Sequence, residues 1–225
     1  MKRLFFLLSS YWLLASTAQA QVGLRTGGGL TSIAKSSDDG RNVTTTQRKL
    51  GYQAGIFYQI SLSQYLSLVP EIAFSREHFA VDNNYYFGEG DVFSSYIQSL
   101  SYLNLPILLR ASLGAFYLEV GPQASLLVGG RATGTQTISG GFVAGSYSTP
   151  IDAAATTSYH RFDAGPCVGV GIKLPAGLGL GVRAYWGLTK LTKEQTSVPF
   201  GQSYIAFQHR QTLQASLTYQ LPTRQ

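Results

Sequence analysis

Apolar and polar residues alternate with period two along most of this chain, and that pattern restricts what it can fold into more than any other feature. In LGYQAGIFYQISL, Leu50, Tyr52, Ala54, Ile56, Tyr58, Ile60 and Leu62 share one face, while Gly51, Gln53, Gly55, Phe57, Gln59 and Ser61 share the other. Successive side chains of a strand point to opposite sides, so the alternation predicts β-structure. Carried along the sequence, it predicts eight strands at about 22–30, 50–62, 66–74, 102–110, 116–126, 162–173, 178–186 and 213–221.

The connections between these strands choose the architecture. Links at Ser63–Tyr65, Ser112–Gly114 and Pro175–Gly177 are tight, whereas 31–49, 76–98, 129–160 and 189–208 are long and polar. Strict alternation of short and long links over an even strand count is the signature of a transmembrane barrel, with short periplasmic turns and long external loops. The expected fold is therefore all-β: an eight-stranded antiparallel up-and-down transmembrane β-barrel.

Charge placement agrees. Arg25, Glu71, Arg110, Glu119, Asp163, Lys173 and Arg183 all fall on the less apolar face of their strands. A charge facing lipid near midplane costs about 2–4 kcal/mol, so the leucine-rich face is expected to meet lipid and the charged face a lumen. Isolated charges in a narrow interior are expensive unless paired. The expected result is a lumenal polar network of Arg25, Glu71, Arg110, Glu119 and Arg183, with Asn104 and Tyr117 as hydrogen-bond partners, which plugs the barrel. Aromatic rings gather at the two membrane interfaces. Phe74, Phe162 and Trp186 are expected to form the external belt, and Tyr58, Phe116 and Tyr219 the periplasmic one.

Four prolines, Pro70, Pro106, Pro122 and Pro166, lie inside these strands, where each removes a ladder hydrogen bond. Local bulges are expected there.

The compartment is read from the first residues. MKRLFFLLSSYWLLASTAQA joins a basic start, an apolar stretch too short to span a bilayer, and Ala18-Gln19-Ala20, the pattern of a secretory signal peptide. This divides the chain into a signal peptide at 1–20 and a barrel domain at 21–225. Without Lys2 and Arg3 the 17 basic residues become 15 against 11 acidic, a net charge of +4, too mild and scattered for a nucleic-acid partner. A single cysteine excludes an internal disulfide framework, and no spacing of Cys and His suggests a metal or cofactor.

The segments VPEIAFS, YLNLPILLR, LEVGPQASLLVGG and FDAGPCVGVGIKL resemble the outer-membrane β-barrel domain of the PorT-like family, common in Bacteroidota. The similarity covers essentially the whole chain after residue 20 and includes the prolines. Asn104 stands where such sequences usually carry an acidic residue. The resemblance implies an integral protein of a Gram-negative outer membrane. It implies no single shared activity, although the family member that gives the name serves protein secretion.

Catalysis is weighed on two pairs, His78 with Glu77 and His160 with Asp163. Neither has a serine or other nucleophile singled out by spacing, so no catalytic residues are expected. The expected role is structural or surface-interaction, with lipid around the wall and protein partners at the external loops. The alternatives are an accessory subunit of a secretion or uptake system, a small passive pore, or a membrane-embedded hydrolase.

Overall fold

The computed structural model describes residues 20–35, 42–87, 90–140, 145–156, 158–192 and 207–222. Residues 1–19 of the expected signal peptide lie outside the described residues; Ala20 opens the first strand.

Among the described residues there are nine antiparallel strands: β1 (Ala20–Lys35), β2 (Asn42–Ser61), β3 (Leu66–Phe87), β4 (Gly90–Leu113), β5 (Phe116–Gly140), β6 (Ser146–Ala154), β7 (Phe162–Lys173), β8 (Leu178–Trp186) and β9 (Phe207–Gln220). Eight of them close a ring. β1 pairs with β2 and β9, the chain order holds from β2 to β5, and β5 pairs with β7, β7 with β8 and β8 with β9. β6 stands outside the ring, paired with the far half of β5 from Arg131 to Ser139. Closure removes every edge from the spanning wall, which hydrocarbon requires because it offers backbone groups no partner. No helix among the described residues is long and apolar enough to cross a membrane; the crossing is made by strands.

The tight connections fall where the sequence places them. Leu62 and Ser63 donate their N–H groups to Leu66 O, Gly114 has a positive φ of 61°, and Pro175–Gly177 forms a single 3-10 turn. In that turn Ala176 also has φ 61°, a left-handed conformation that strains a residue with a Cβ.

The long connections differ from expectation. Residues 76–98 are not a loop: β3 and β4 continue paired to Phe87↔Gly90. β4 and β5 run for 24 and 25 residues, more than twice the roughly 9–11 that cross a bilayer. The upper barrel therefore stands beyond the membrane as paired strands. Along β4 the even-numbered residues stay inward from Val92 to Arg110, with only Tyr96 half-exposed.

The proline bulges do not occur. Register is unchanged on either side of Pro70 and Pro106, and Pro122 pairs directly with Pro166 in an unbroken ladder. Pairing is skipped at Glu71–Ile72 opposite Leu105–Pro106, and again at Ile107–Leu108 opposite Gly121–Pro122. Dropping a rung accommodates the missing N–H without inserting a residue. The irregularities lie elsewhere: between Ile33 and Lys35, between Lys49 and Tyr52, and between Ser101 and Tyr102. All three sit at the external end of the lipid-facing wall.

The two faces of the spanning wall are cleanly separated. Leu24, Ile56, Ile72, Leu105, Val120, Val170, Val182 and Leu213 lie on the outside, each at least 44% exposed. All six belt aromatics point outward with them: Tyr58, Phe74, Phe116, Phe162, Trp186 and Tyr219. Arg25, Glu71, Asn104, Arg110, Tyr117, Glu119 and Arg183 are buried inside.

A two-layered charged lumen as the candidate functional site

The lower layer is a circuit of charge-assisted hydrogen bonds across the lumen. Arg110 on β4 donates through Nε and Nη2 to Glu119 Oε1 on β5, at 2.8 and 2.6 Å. Arg183 on β8 bridges the two glutamates, with Nε 2.7 Å from Glu119 Oε2 and Nη1 2.7 Å from Glu71 Oε2. Arg25 on β1 donates through Nε to Glu71 Oε2 at 3.1 Å and through Nη1 to Ser216 Oγ at 2.8 Å. Gln59 Oε1 accepts from Arg110 Nη1 and from Gln220 Nε2, both at 2.7 Å. Seven of the eight ring strands contribute a side chain.

Rings pack against these cations. Phe57 lies 5.6 Å from both the Arg25 and Arg110 guanidinium carbons, and the Tyr117 ring lies 4.5 Å from that of Arg110. Tyr117 reaches over β7 to β8, where its hydroxyl donates to Leu180 O at 3.5 Å. A Cβ on Gly171 or Gly181 would collide with that tyrosine, which accounts for glycine at both positions. Tyr117 thus serves the layer through its ring and a backbone carbonyl, not through a bond to a carboxylate.

The second layer is organised by Arg210 on β9. Its Nη1 donates to Glu77 Oε1 at 2.9 Å and its Nη2 to Ser125 Oγ at 2.7 Å, while Nε lies 3.4 Å from Asp163 Oδ2. The guanidinium is sandwiched between Tyr102, at 4.0 Å, and Tyr185, at 4.8 Å. Glu77 also accepts from Thr31 at 2.9 Å, and Asp163 from Tyr185 at 2.9 Å. Asn104 belongs here. It donates to Ser75 Oγ at 2.9 Å and accepts from Ser125 Oγ at 2.7 Å, so it joins the arginines of neither Glu71 nor Glu119.

The formal charges balance only when the layers are added. Arg25, Arg110 and Arg183 face Glu71 and Glu119, an excess of +1; Arg210 faces Glu77 and Asp163, an excess of −1. Four cations therefore meet four anions in one interior.

Above both layers the lumen turns apolar. Ile33, Phe79, Val81, Leu100, Leu127, Ala155, Tyr159 and Leu191 form a buried cluster with Tyr102, and Tyr96 packs against it. Ala155, Tyr159 and Leu191 fold inward at the mouth, held by the bridge Tyr159↔Thr192 and by His160 N–H donating to Leu191 O at 2.9 Å. Burial pushes the Tyr96 hydroxyl up to about 12.

Neither histidine pair assembles an acid–base site. Glu77 and His78 are consecutive on β3, so Glu77 enters the lumen while His78 lies on the outer wall, 2.8 Å from Ser99 Oγ. Asp163 is engaged by Arg210, Tyr185 and the Thr189 N–H, whereas His160 is exposed outside the ring.

A ring closed by strands, apolar outside and ionic inside, defines the class: an integral β-barrel of the outer membrane. The sequence matches the model of the outer membrane protein beta-barrel domain over residues 15–193, and the chain belongs to that family. Solved structures to which the chain is similar include neisserial surface protein A, at 13% identity and TM-score 0.39, covering 90% of this chain and 97% of that one. The attachment invasion locus protein of Yersinia pestis matches at 9% identity and TM-score 0.38, over 90% and 97% of the two chains. The outer membrane protease OmpT of Escherichia coli matches at 10% identity and TM-score 0.39, over 90% and 96%. No curated protein sequence matches the chain.

Proposed function

We propose that this protein is a non-conducting, membrane-anchored scaffold that presents its β3–β4 and β5–β6 hairpins to partners outside the cell. The observation that carries this reading is the filling of the lumen by two paired ionic layers under an apolar cluster. An eight-stranded interior is only wide enough for side chains, and here they occupy it. What is left for interaction is the projecting part, where β6 is exposed along nearly all its length. Residues 1–20 act in this reading as the export signal. Inserted tags at 134–138 or 147–152 are expected to be reached by antibody on intact cells, and the purified protein is expected to show no steady conductance in planar bilayers. A large steady conductance overturns the plug and favours a pore.

A second reading, accessory subunit of a secretion or uptake system, is supported by the PorT-like segments around Pro70, Pro106, Pro122 and Pro166. Crosslinking from the hairpins in native membranes separates the two: a secretion-machinery component as the dominant product favours the second.

A further inference from the structure

The outward face of the wall changes character within one register step at its external end. On β3, Ile72 and Phe74 point to lipid, and Arg76 and His78 continue on the same side. Arg76 pairs laterally with Tyr52 of β2, and His78 with Lys49. Arg76 thus sits beside Tyr52 and above Phe74, both outward and exposed, with the Lys49–His78 pair one step farther out.

Among the described residues, no carboxylate forms an ion pair with Lys49, Arg76 or His78. Glu77, between Arg76 and His78 in sequence, is turned into the lumen and bound to Arg210. Asp82, farther out on the same face, accepts from Ser95 at 2.7 Å. Arg131, one strand beyond Ser99 in the same lateral row, is clasped by Asp152 through two bonds of 2.6 Å. Burial and then the Arg76 charge hold the His78 imidazole below its usual range, with Glu77 opposing them.

We infer that Lys49, Arg76 and His78 form a binding site on the outer wall for a phosphate-bearing lipid of the outer leaflet. Its acyl chains would lie along the Tyr52–Phe74 side of the barrel. The position selects the source of the phosphate. Lys49 and Arg76 bring the positive charge to the level where hydrocarbon gives way to headgroups, His78 adds a ring N–H there, and the rings of Tyr52 and Phe74 offer apolar surface to the same ligand. A guanidinium supplies the planar two-donor contact that phosphate accepts best, and the lysine a flexible point charge beside it.

The test uses the full-length barrel folded in detergent and titrated with diphosphorylated lipid A, with dephosphorylated lipid A and with inorganic phosphate. Lys49→Ala/Arg76→Ala/His78→Ala is expected to bind diphosphorylated lipid A at least about tenfold more weakly than the parent, and Arg76→Gln alone about fivefold more weakly. Lys173→Gln, whose amine donates to Ser112 Oγ at the periplasmic end, is expected to bind as the parent does. Heat-modifiable migration on gels shows which variants are folded; if the triple variant is not, Arg76→Gln carries the result. Parent-like binding by the folded variants overturns the site. Equal binding of the dephosphorylated lipid overturns the phosphate, and comparable saturation by inorganic phosphate overturns the lipid.

Discussion

Leu105 and Leu100 lie five positions apart on the same strand and obey opposite rules. Leu105 points away from the lumen and is 44% exposed, while Leu100 points into it and is 1% exposed. The spanning half of the barrel is built inside-out, with apolar residues against hydrocarbon and ions within. The external half is built as a water-soluble protein, with an apolar core and a polar outer wall of Arg76, His78, Ser99 and Ser101. One set of strands serves both because the surrounding solvent, not the backbone, decides which face must be apolar.

The sharpest way to probe the lower half is to unbalance it. Glu119→Gln leaves Arg110 and Arg183 without their shared anion in a buried interior, and it is expected to cost about 3–5 kcal/mol. Urea titration of the protein folded into vesicles measures this, and a loss under 1 kcal/mol would mean that water or rearranged side chains compensate. In the upper half the corresponding blow is a cavity. Leu100→Ala is expected to cost about 2–5 kcal/mol in the same assay, whereas Leu105→Ala, which opens no cavity, is expected to cost far less. Similar losses for the two leucines would erase the distinction between the halves.

The outward face gives a direct comparison of solvents. Leu105→Arg, Val120→Arg and Val182→Arg are each expected to cost about 2–4 kcal/mol if near midplane, while Ser99→Arg on the outer wall is expected to change stability by less than about 0.5 kcal/mol. Equal damage at Ser99 would place that residue within the hydrocarbon. The smallest expected effect lies at the periplasmic turn. Ala176→Gly relieves a left-handed residue and is expected to stabilise by about 1 kcal/mol, with external loop accessibility unchanged.

The lower half was legible in the sequence because period two, lipid-facing leucines and lumenal charges all carry one message there. The eight strands of the ring and the inward direction of Arg25, Glu71, Arg110, Glu119 and Arg183 follow from it. The upper half was not, because its apolar residues change sides. Phe79, Val81 and Leu100 on the inner face read as noise in a polar segment when the outer face is the one being followed. The parity of each strand was the available signal. Counting inward positions back from Gln214 through Thr212 reaches Arg210, and counting on from Glu71 through Ser75 reaches Glu77. The prolines misled for another reason: a bulge is one remedy for a missing N–H, and a skipped rung, which leaves no trace in register, is another.

The ionic layers join residues that the chain keeps far apart. Arg25 bonds Ser216 across 191 positions, and Arg183 bonds Glu71 across 112. A half-built sheet holding β1 to β4 would therefore carry Arg25, Glu71 and Arg110 without the β5, β8 and β9 partners that complete their bonding. Hydrocarbon penalises unpaired charges and open strand edges alike, so each penalty is lifted by the same event, the meeting of β1 with β9. The seam is thus a checkpoint: until the first and last strands pair, the interior that makes the finished barrel stable is what keeps the unfinished one out of the membrane.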